Sequence, residues 1–308
     1  MKQNGFLLAL TFGLTLLATS SWLPAGLVFV INLALTAVLI FLFGRLPAKA
    51  SLGWVLVLTV TSGWMGKSWM TSAIYFALAL LPAAAAGLAV AKKLSYGRAL
   101  LVMALSALVP TGLFVSFAYD SVRLQLTSFG ETMKQMLVGL GSTAQAGELQ
   151  KAVQSYLEFI ISVIPALYFI SGFFFLALAH LLALWALGRA GIFAPGPKKF
   201  VTWQAPFFLI FLLGVGLAGH LFLQNGWVKA ADNLLLVVVF TYAICGTSNL
   251  EYFFKKLRTH WAVKGLFYIW LVLFGLASFF ILSAVGFLDS RFDFRGLKKV
   301  GLAKESED

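Results

Sequence analysis

Three polar side chains inside apolar runs are the residues of this sequence whose type and position suit chemistry. Asn32 lies in the second apolar run, His180 in the sixth, and His220 near the end of the seventh. Polar groups are costly to place in hydrocarbon, and they often serve ligand binding or proton transfer there. The alternative is that each makes a hydrogen bond to a neighbouring helix and has only a structural role. All three are candidate ligand-binding or polar intramembrane residues.

The sequence patterns of an intramembrane enzyme are absent. There is no HExxH, no GxSxG and no pair of carboxylates within the apolar runs. Gly66-Lys67-Ser68 resembles the end of a phosphate-binding loop, but Thr61 stands where that pattern requires glycine. Cys245 is the only cysteine, which excludes an intramolecular disulfide and a cysteine-based metal site. We therefore expect no catalytic site, no metal, no cofactor and no enzymatic activity.

The composition is that of a protein surrounded by lipid. Apolar residues make up 61% of the 308 positions and charged residues 11%, whereas soluble domains carry about 25% charged residues. The net charge of +12 does not indicate nucleic-acid binding, because the Lys and Arg residues cluster between apolar runs. Basic residues at such positions set the orientation of membrane helices. The expected surroundings are the lipid bilayer, without nucleic acid.

The apolar runs predict membrane-spanning helices. They are continuous and lack the alternation of a membrane β-barrel, and most approach the roughly 20 residues that a helix needs to cross a bilayer. The sequence therefore predicts an all-α integral membrane protein with about nine transmembrane helices, or eight if one run does not cross. The runs lie at 6–22, 26–43, 52–66, 70–90, 99–118, 159–187, 205–223, 233–250 and 265–287.

Residues 119–158 form the one internal segment that is too long and too polar for lipid. Its apolar residues recur at spacings of three and four, which places them on one face of a helix. Glycines between 141 and 147 interrupt the pattern, which resumes at Leu149 and runs into the next span. The segment is predicted to be an amphipathic helical hairpin between the fifth and sixth spans. It either packs on the bundle and the headgroups or covers a cavity as a lid. The apolar positions before the glycines are Val122, Leu126, Phe129, Met133, Met136 and Leu140.

This segment divides the chain into four parts. Residues 1–118 are predicted to form a membrane bundle of five spans, 119–158 the polar insert, 159–288 a bundle of four spans, and 289–308 a charged tail. Up to the last span, alternating crossings put thirteen Lys and Arg residues on one side. The other side receives five, namely Lys67, Arg123, Lys134, Lys151 and Lys229.

Because the more basic side is cytoplasmic, the N-terminus is expected inside and the insert outside the bacterial cytoplasmic membrane. Nine crossings place the basic tail outside, against the same rule. Either one segment does not cross or the tail is an exception.

The first span carries small residues at a spacing of four, at Gly5, Ala9 and Gly13. Residues at this spacing lie on one stripe of a helix, and small side chains let another helix approach closely within lipid. The stripe either packs inside the bundle of this chain or docks a separate membrane partner. It is the candidate helix-docking face.

A mixed charged and aromatic motif follows the last span. Acidic, basic and aromatic residues in this position are typical of an interfacial anchor, with aromatic rings at headgroup depth and arginines on lipid phosphates. The motif residues are Gly286, Leu288, Asp289, Asp293, Phe294 and Arg295.

The pattern G-x-L-D-x-x-x-D-F-R after a multi-pass bundle with a polar insert resembles the YybS family of uncharacterised bacterial membrane proteins. That family is distantly similar to the substrate-binding components of energy-coupling-factor vitamin transporters. The first helix of those components meets a membrane coupling subunit through small residues, a pattern that Gly5, Ala9 and Gly13 match in kind. The resemblance implies a small-molecule binding or transport component that acts with partner subunits. The alternative is a non-transporting membrane scaffold or accessory protein.

Overall fold

The computed structural model describes residues 2–19, 24–139, 144–224 and 226–297, and within those ranges every regular element is helical. The predicted all-α class is therefore confirmed. Leu140 and the tail beyond Leu297 lie outside the described residues. In chain order the helices are α1 (Lys2–Ala18), α2 (Ala25–Arg45), α3 (Ala48–Met65), α4 (Trp69–Tyr75), α5 (Leu81–Ala91), α6 (Tyr96–Phe117), α7 (Tyr119–Gly139), α8 (Ala144–Arg189), α9 (Leu209–Phe222), α10 (Gly226–Lys256), α11 (Trp261–Leu273) and α12 (Gly275–Phe292).

Within the described ranges, six helical segments are long and apolar enough to cross a membrane. They are α2, α6, α8, α10, α12 and one continuous segment that consists of α4 and α5. Three shorter apolar helices, α1, α9 and α11, add to them. These segments fit a multi-pass membrane protein in contact with the bilayer. The total of nine crossings stays a prediction.

The helices group into two compact units. The first unit contains residues 1–122 and 167–197, and the second contains 123–166 and 198–308. Helix α8 therefore contributes its later part to the first unit and its earlier part to the second. The division at 118, 158 and 288, which follows polarity along the chain, stays a prediction.

Helix α2 is central to the core of the first unit. Its residues Leu35, Leu39 and Phe43 are almost completely buried against α3 and α5. Ile40 belongs to a second cluster that includes residues of α5, α6 and α8. Helices α2 and α5 approach closely at Gly87, where a Cβ atom would lie 2.4 Å from the ring of Phe43. A small residue at this contact permits the tight packing that stabilises helix pairs in lipid.

A π-helical turn at Phe76–Leu80 joins α4 to α5. The N–H of Leu81 donates to the carbonyl of Phe76, five residues earlier, which is the wider turn of a π-helix. Pro82 follows and has no N–H to donate. The wide turn comes directly before this proline, and the helix continues across both from Trp69 to Ala91.

Helices α10 and α12 pack closely and run in the same direction within the second unit. Ser283 Oγ donates to the carbonyl of Val239 at 3.0 Å, and the rings of Tyr242 and Phe287 pack edge to face with centroids 5.4 Å apart. Further along, Arg295 beyond α12 contacts Ser248 of α10. Because contact positions advance together in both helices, the two are parallel.

The predicted run at 265–287 is divided between two helices. Helix α11 ends at Leu273 and α12 begins at Gly275, which has a positive φ of 37°. Glycine adopts this backbone conformation more readily than other residues, because glycine has no Cβ. Since α10 and α12 are parallel, α11 carries the chain back between them. A run of uniform hydrophobicity hides this reversal from sequence analysis.

The insert consists of α7 and the first part of α8. On α7, Val122, Leu126 and Met133 are half-buried, whereas Phe129 and Met136 are more than half exposed. Gly130 is buried, and a Cβ there would lie 2.6 Å from Leu157 of α8. Helix α8 is assigned as one helix of 46 residues, so the insert part and the apolar part follow one another in the same element.

Candidate functional site

A buried arginine is the centre of the main polar site in the second unit. The Arg295 side chain is fully buried and lies 2.7 Å from Asp289, with Nη2 and Nε donating to the same carboxylate oxygen, Oδ2. Nη1 donates to the carbonyl of Val201 and to Ser248 Oγ, and Nη2 also donates to the carbonyl of Trp203. A guanidinium has five N–H donors, so these five hydrogen bonds use all of them.

The spacing of the tail motif follows from the end of α12. Asp293 takes the left-handed conformation that ends many helices, with φ 47°, and its N–H donates to the carbonyl of Asp289. Asp293 Oδ1 then accepts from the N–H of Leu297. This reversal brings Arg295 back onto Asp289. The motif therefore encodes a helix end that closes on its own last turn.

The same site binds the segment before α9. Ser248 Oγ lies 2.6 Å from the carbonyl oxygen of Phe200 and 3.0 Å from that of Trp203, so its single O–H group donates to one of them or is shared between them. Gln204 Nε2 donates to the carbonyl of Asp289 at 3.1 Å. Residues 200–204, α10 and the end of α12 therefore share one hydrogen-bond network, which we call the Arg295 network.

A carboxylate oxygen of the Arg295 network and the side chain that follows Ser248 in sequence are buried and lack hydrogen-bond partners among the residues that the structure describes. They are Asp289 Oδ1 and the side-chain amide of Asn249, which follows Ser248 on α10. An unsatisfied buried polar group costs about 1–3 kcal/mol. The network therefore combines a neutralised charge pair with spare hydrogen-bonding capacity, but without an exposed nucleophile.

The network corrects the anchor interpretation for Arg295. A guanidinium whose donors all bind protein atoms is not available to lipid phosphates. Phe292 and Phe294 are 65% and 52% exposed, as the interfacial interpretation requires of aromatic rings. Leu288 is also exposed, whereas Gly286 is buried against α10. The motif thus has one face in the protein and one face outward.

Asn32 lies in a polar contact inside the first unit. Its Oδ1 accepts from the Tyr75 hydroxyl at 3.2 Å, and its Nδ2 donates to the carbonyl of Val28 in its own helix. A second polar contact joins two other helices of this unit: Trp54 Nε1 donates to Thr11 Oγ1 at 2.8 Å, and Thr11 is fully buried. These contacts connect α1 to α3 and α2 to the end of α4.

The two histidines have different surroundings. His180 is 1% exposed, its ring lies 5.9 Å from that of Tyr96, and its Nδ1 has no hydrogen-bond partner in the described ranges. His220 is half-exposed, and its Nδ1 lies 2.6 Å from Asp232 Oδ1. Asn32 and His180 belong to the first unit and His220 to the second. Their placement does not test a role in ligand binding, and that role stays a prediction for all three residues.

The small-residue stripe of α1 faces away from the packed helices. Gly5 and Ala9 are exposed and Gly13 is half-buried. A Cβ atom at Gly5 or Gly13 would meet no atom within 4 Å. The buried side of α1 carries Thr11 and Thr15, both 0% exposed. Thr11 is about 200° around the helix from Ala9, because each residue turns the helix by about 100°.

Asn233 makes a contact with α8 that its surroundings in the sequence do not indicate. Pro165 has no N–H and interrupts the hydrogen bonds of α8. The Asn233 side chain enters the gap: its Oδ1 accepts from the N–H of Ala166, and its Nδ2 donates to the carbonyl of Ser162, each at 2.7 Å. The signal was a proline within an apolar run, but its partner 68 positions later had no local pattern.

Among the described residues, no three side chains of His, Cys, Asp or Glu lie close enough together to hold a metal ion. Cys245 is a buried free thiol beside Tyr242 in the core of the second unit.

Comparison with known proteins assigns the family. No curated protein and no solved structure matches the chain. A family model described as "Predicted membrane protein (DUF2232)" matches residues 9–290, which is nearly the whole chain. This extent agrees with the helical, apolar architecture and includes α12 up to Ser290. The chain belongs to the DUF2232 family of membrane proteins.

Proposed function

We propose that this protein is the small-molecule binding or transport component of a membrane complex, without enzymatic activity. One observation carries the proposal. The small-residue stripe of α1 is outward-facing, while the opposite side of the helix is fixed to α3 through the bond between Trp54 and Thr11. A stripe that does not pack within its own unit is free to meet another helix.

The expected occupant of the stripe is an apolar transmembrane helix of a partner subunit. Association in lipid depends on close packing rather than on removal of apolar surface from water, and Gly5, Ala9 and Gly13 permit close approach. The stripe is bordered by the exposed side chains of Phe6, Leu10 and Phe12. These larger residues form the sides of a shallow groove for that helix. The resemblance to the YybS family and to transporter components is consistent with this arrangement.

The Ala9→Leu variant tests the proposal. The added side chain blocks close approach at the centre of the stripe, yet it keeps α1 apolar, so insertion is expected to be unchanged. We expect normal amounts of the variant in the membrane, an unchanged melting temperature, and loss of one membrane partner on affinity purification from detergent. Ala73→Leu is the matched control, because Ala73 is an exposed alanine of α4. Retention of every partner, or a lower melting temperature without selective loss, would contradict a docking role.

A non-transporting scaffold is the second candidate. The saturation of Arg295 by protein groups favours it, because all five N–H groups of its guanidinium are already used and none is left for a ligand. The same purification separates the candidates when the complex is assayed for a small molecule by mass spectrometry. A transport or binding component is expected to retain one, whereas a scaffold is not.

We further propose ten crossings, with both termini in the cytoplasm. The crossings are the nine helices α1, α2, α3, α6, α8, α9, α10, α11 and α12, together with the continuous segment that consists of α4 and α5. The separation of α11 from α12 supplies the extra crossing, so the tail moves to the cytoplasmic side. The five basic residues of the tail then join the thirteen already there, and eighteen of the 23 Lys and Arg residues share one side. This distribution follows the positive-inside rule without an exception.

A further inference from the structure

The turn of α8 around Pro165 can be hydrogen-bonded in two ways. In a regular α-helix the N–H of Ala166 donates to the carbonyl of Ser162, four residues earlier. In the structure both groups are bound to the side-chain amide of Asn233, each at 2.7 Å. The amide therefore bridges two backbone groups that are also each other's partners in a regular helix.

Two local features weaken the regular arrangement of this turn. Pro165 has no N–H, and a proline ring crowds the carbonyl four residues earlier. The hydroxyl of Ser162 donates to the carbonyl of Phe159 at 2.7 Å, and such local side-chain bonds compete with the backbone bonds of a helix. The backbone gains less from a regular turn here than elsewhere in α8. A side chain of a neighbouring helix can therefore replace its hydrogen bond.

The position of Asn233 is fixed by the packing of α10 on α9. Positions 231 and 235 are about 160° around α10 from Asn233, because each residue turns a helix by about 100°. On that opposite side, a Cβ at Gly219 would lie 2.8 Å from the Cβ of Ala231. A Cβ at Gly216 would lie 2.7 Å from the side chain of Leu235. Since α9 and α10 approach so closely, the turn of α8 is the part that can change. All of these residues belong to the second unit.

The two arrangements differ by one hydrogen bond. The bridge makes two, from Ala166 to Asn233 and from Asn233 to Ser162, whereas the regular turn makes one. The other N–H of the Asn233 amide donates to the carbonyl of Lys229 in its own helix, and this bond does not involve α8. When two states of a protein differ by so little, both are populated, the minor one at about 0.1–10%.

We propose that this turn is a two-state hinge of α8, which the Asn233 amide holds open. In the bridged state, which the structure shows, the amide binds both Ser162 and Ala166. In the direct state the amide is withdrawn, and Ala166 donates to Ser162 as in a regular helix. The exchange changes the bend of α8 at Pro165, because a side chain inserted between backbone partners bends a helix. The inference does not depend on the proposed function of the α1 stripe.

The amide signal of Ala166 tests the proposal in the purified full-length protein. The measurement is ¹⁵N relaxation dispersion of alanine-labelled protein in detergent micelles, which detects exchange on the μs–ms timescale. Slower exchange gives a second signal instead. The Ala166 signal is assigned from its absence in Ala166→Ser. We expect exchange at Ala166, with a minor state of about 1–10%, and none at Ala183, a buried alanine of the same helix.

Asn233→Leu removes the bridge at similar side-chain volume. Since the bridged state then loses both of its hydrogen bonds, we expect the ratio of the two states to shift at least a hundredfold towards the direct state. The main Ala166 signal is expected to move to the position of the minor state in the unaltered protein. Thr241→Val is the matched control on α10, because the Thr241 hydroxyl donates to a carbonyl of its own helix. This variant is expected to leave the exchange unchanged.

Pro165→Ala approaches the same hinge from α8 and tests it even if Asn233→Leu does not fold. It restores the missing N–H and favours the regular turn, so the exchange at Ala166 is expected to disappear. Absence of exchange in the unaltered protein would overturn the proposal and make Asn233 a static contact. Exchange that continues unchanged in Asn233→Leu or in Pro165→Ala would also overturn it.

Discussion

The Arg295→Met variant is expected to lose about 3–5 kcal/mol of folding free energy, because it leaves the buried Asp289 carboxylate without its partner. Arg295 is bound by Asp289, by Ser248 and by the carbonyls of Val201 and Trp203, all within the second unit. The loss also leaves those acceptors unsatisfied. At about 2.1 cal/mol/K of unfolding entropy per residue, this loss corresponds in a chain of 308 residues to a fall in melting temperature of about 5–8 °C. Tryptophan fluorescence of the detergent-solubilised protein during heating measures it.

Arg291→Met is the matched control. Arg291 lies four residues earlier at the same helix end, but its side chain is exposed. We expect a change within about 0.5 kcal/mol for this variant, as for most surface substitutions. Adding Asp289→Leu to Arg295→Met removes the unpaired charge and is expected to restore part of the loss. Equal effects of the two arginine substitutions would show that the Arg295 network contributes little.

Gly286→Ala is expected to cost about 2–3 kcal/mol, because the new methyl group overpacks the contact between α10 and α12. A Cβ at Gly286 would lie 2.0 Å from the carbonyl oxygen of Tyr242 and 2.7 Å from the backbone nitrogen of Gly246. These are backbone atoms, so relief requires the helices to separate. Separation disturbs the bond between Ser283 and Val239 and the position of Arg295. The same thermal measurement records the effect.

Gly265→Ala provides the comparison within the same unit. Gly265 lies inside α11, and a Cβ there would meet nothing within 4 Å. Alanine favours a helix over glycine, so this variant is expected to gain about 0.5–1 kcal/mol. If Gly286→Ala lowers the free energy of unfolding and Gly265→Ala raises it, the difference between the two variants is due to the close approach of the helices at Gly286. A neutral or stabilising Gly286→Ala would contradict the close approach of α10 and α12 at Gly286.

The sequence was sufficient for elements whose signal is local. Apolar runs predicted the helices, and the spacing from Leu149 onwards predicted that the insert continues into the next span, as α8 does. The stripe at Gly5, Ala9 and Gly13 was also visible, but its direction was not. Which side of α1 is buried depends on Thr11 meeting Trp54 of α3, 43 positions away.

Features that depend on distant partners escaped the sequence analysis. The reversal at Gly275 interrupts a run of uniform hydrophobicity, where one glycine has no distinguishing pattern. Asn233 shows its role only beside the interrupted helix at Pro165. The sequence alone favours a lipid contact for Arg295, because its acceptors, the carbonyls of Val201 and Trp203, lie more than 90 positions earlier and are backbone groups of a loop. Backbone acceptors leave no signal in residue types.

The side of the membrane on which the tail emerges tests the proposed ten crossings most directly, because the reversal between α11 and α12 determines that side. The direct measurement is labelling of single cysteines by a membrane-impermeant maleimide in intact cells. The cysteines are introduced one at a time as Gln125→Cys, Lys198→Cys and Arg291→Cys in a Cys245→Ala background. We predict modification at 125 and protection at both 198 and 291 until the membrane is permeabilised. Modification at 291 with protection at 198 would contradict ten crossings, since it would place the end of α12 on the opposite side of the membrane from the loop that Arg295 contacts.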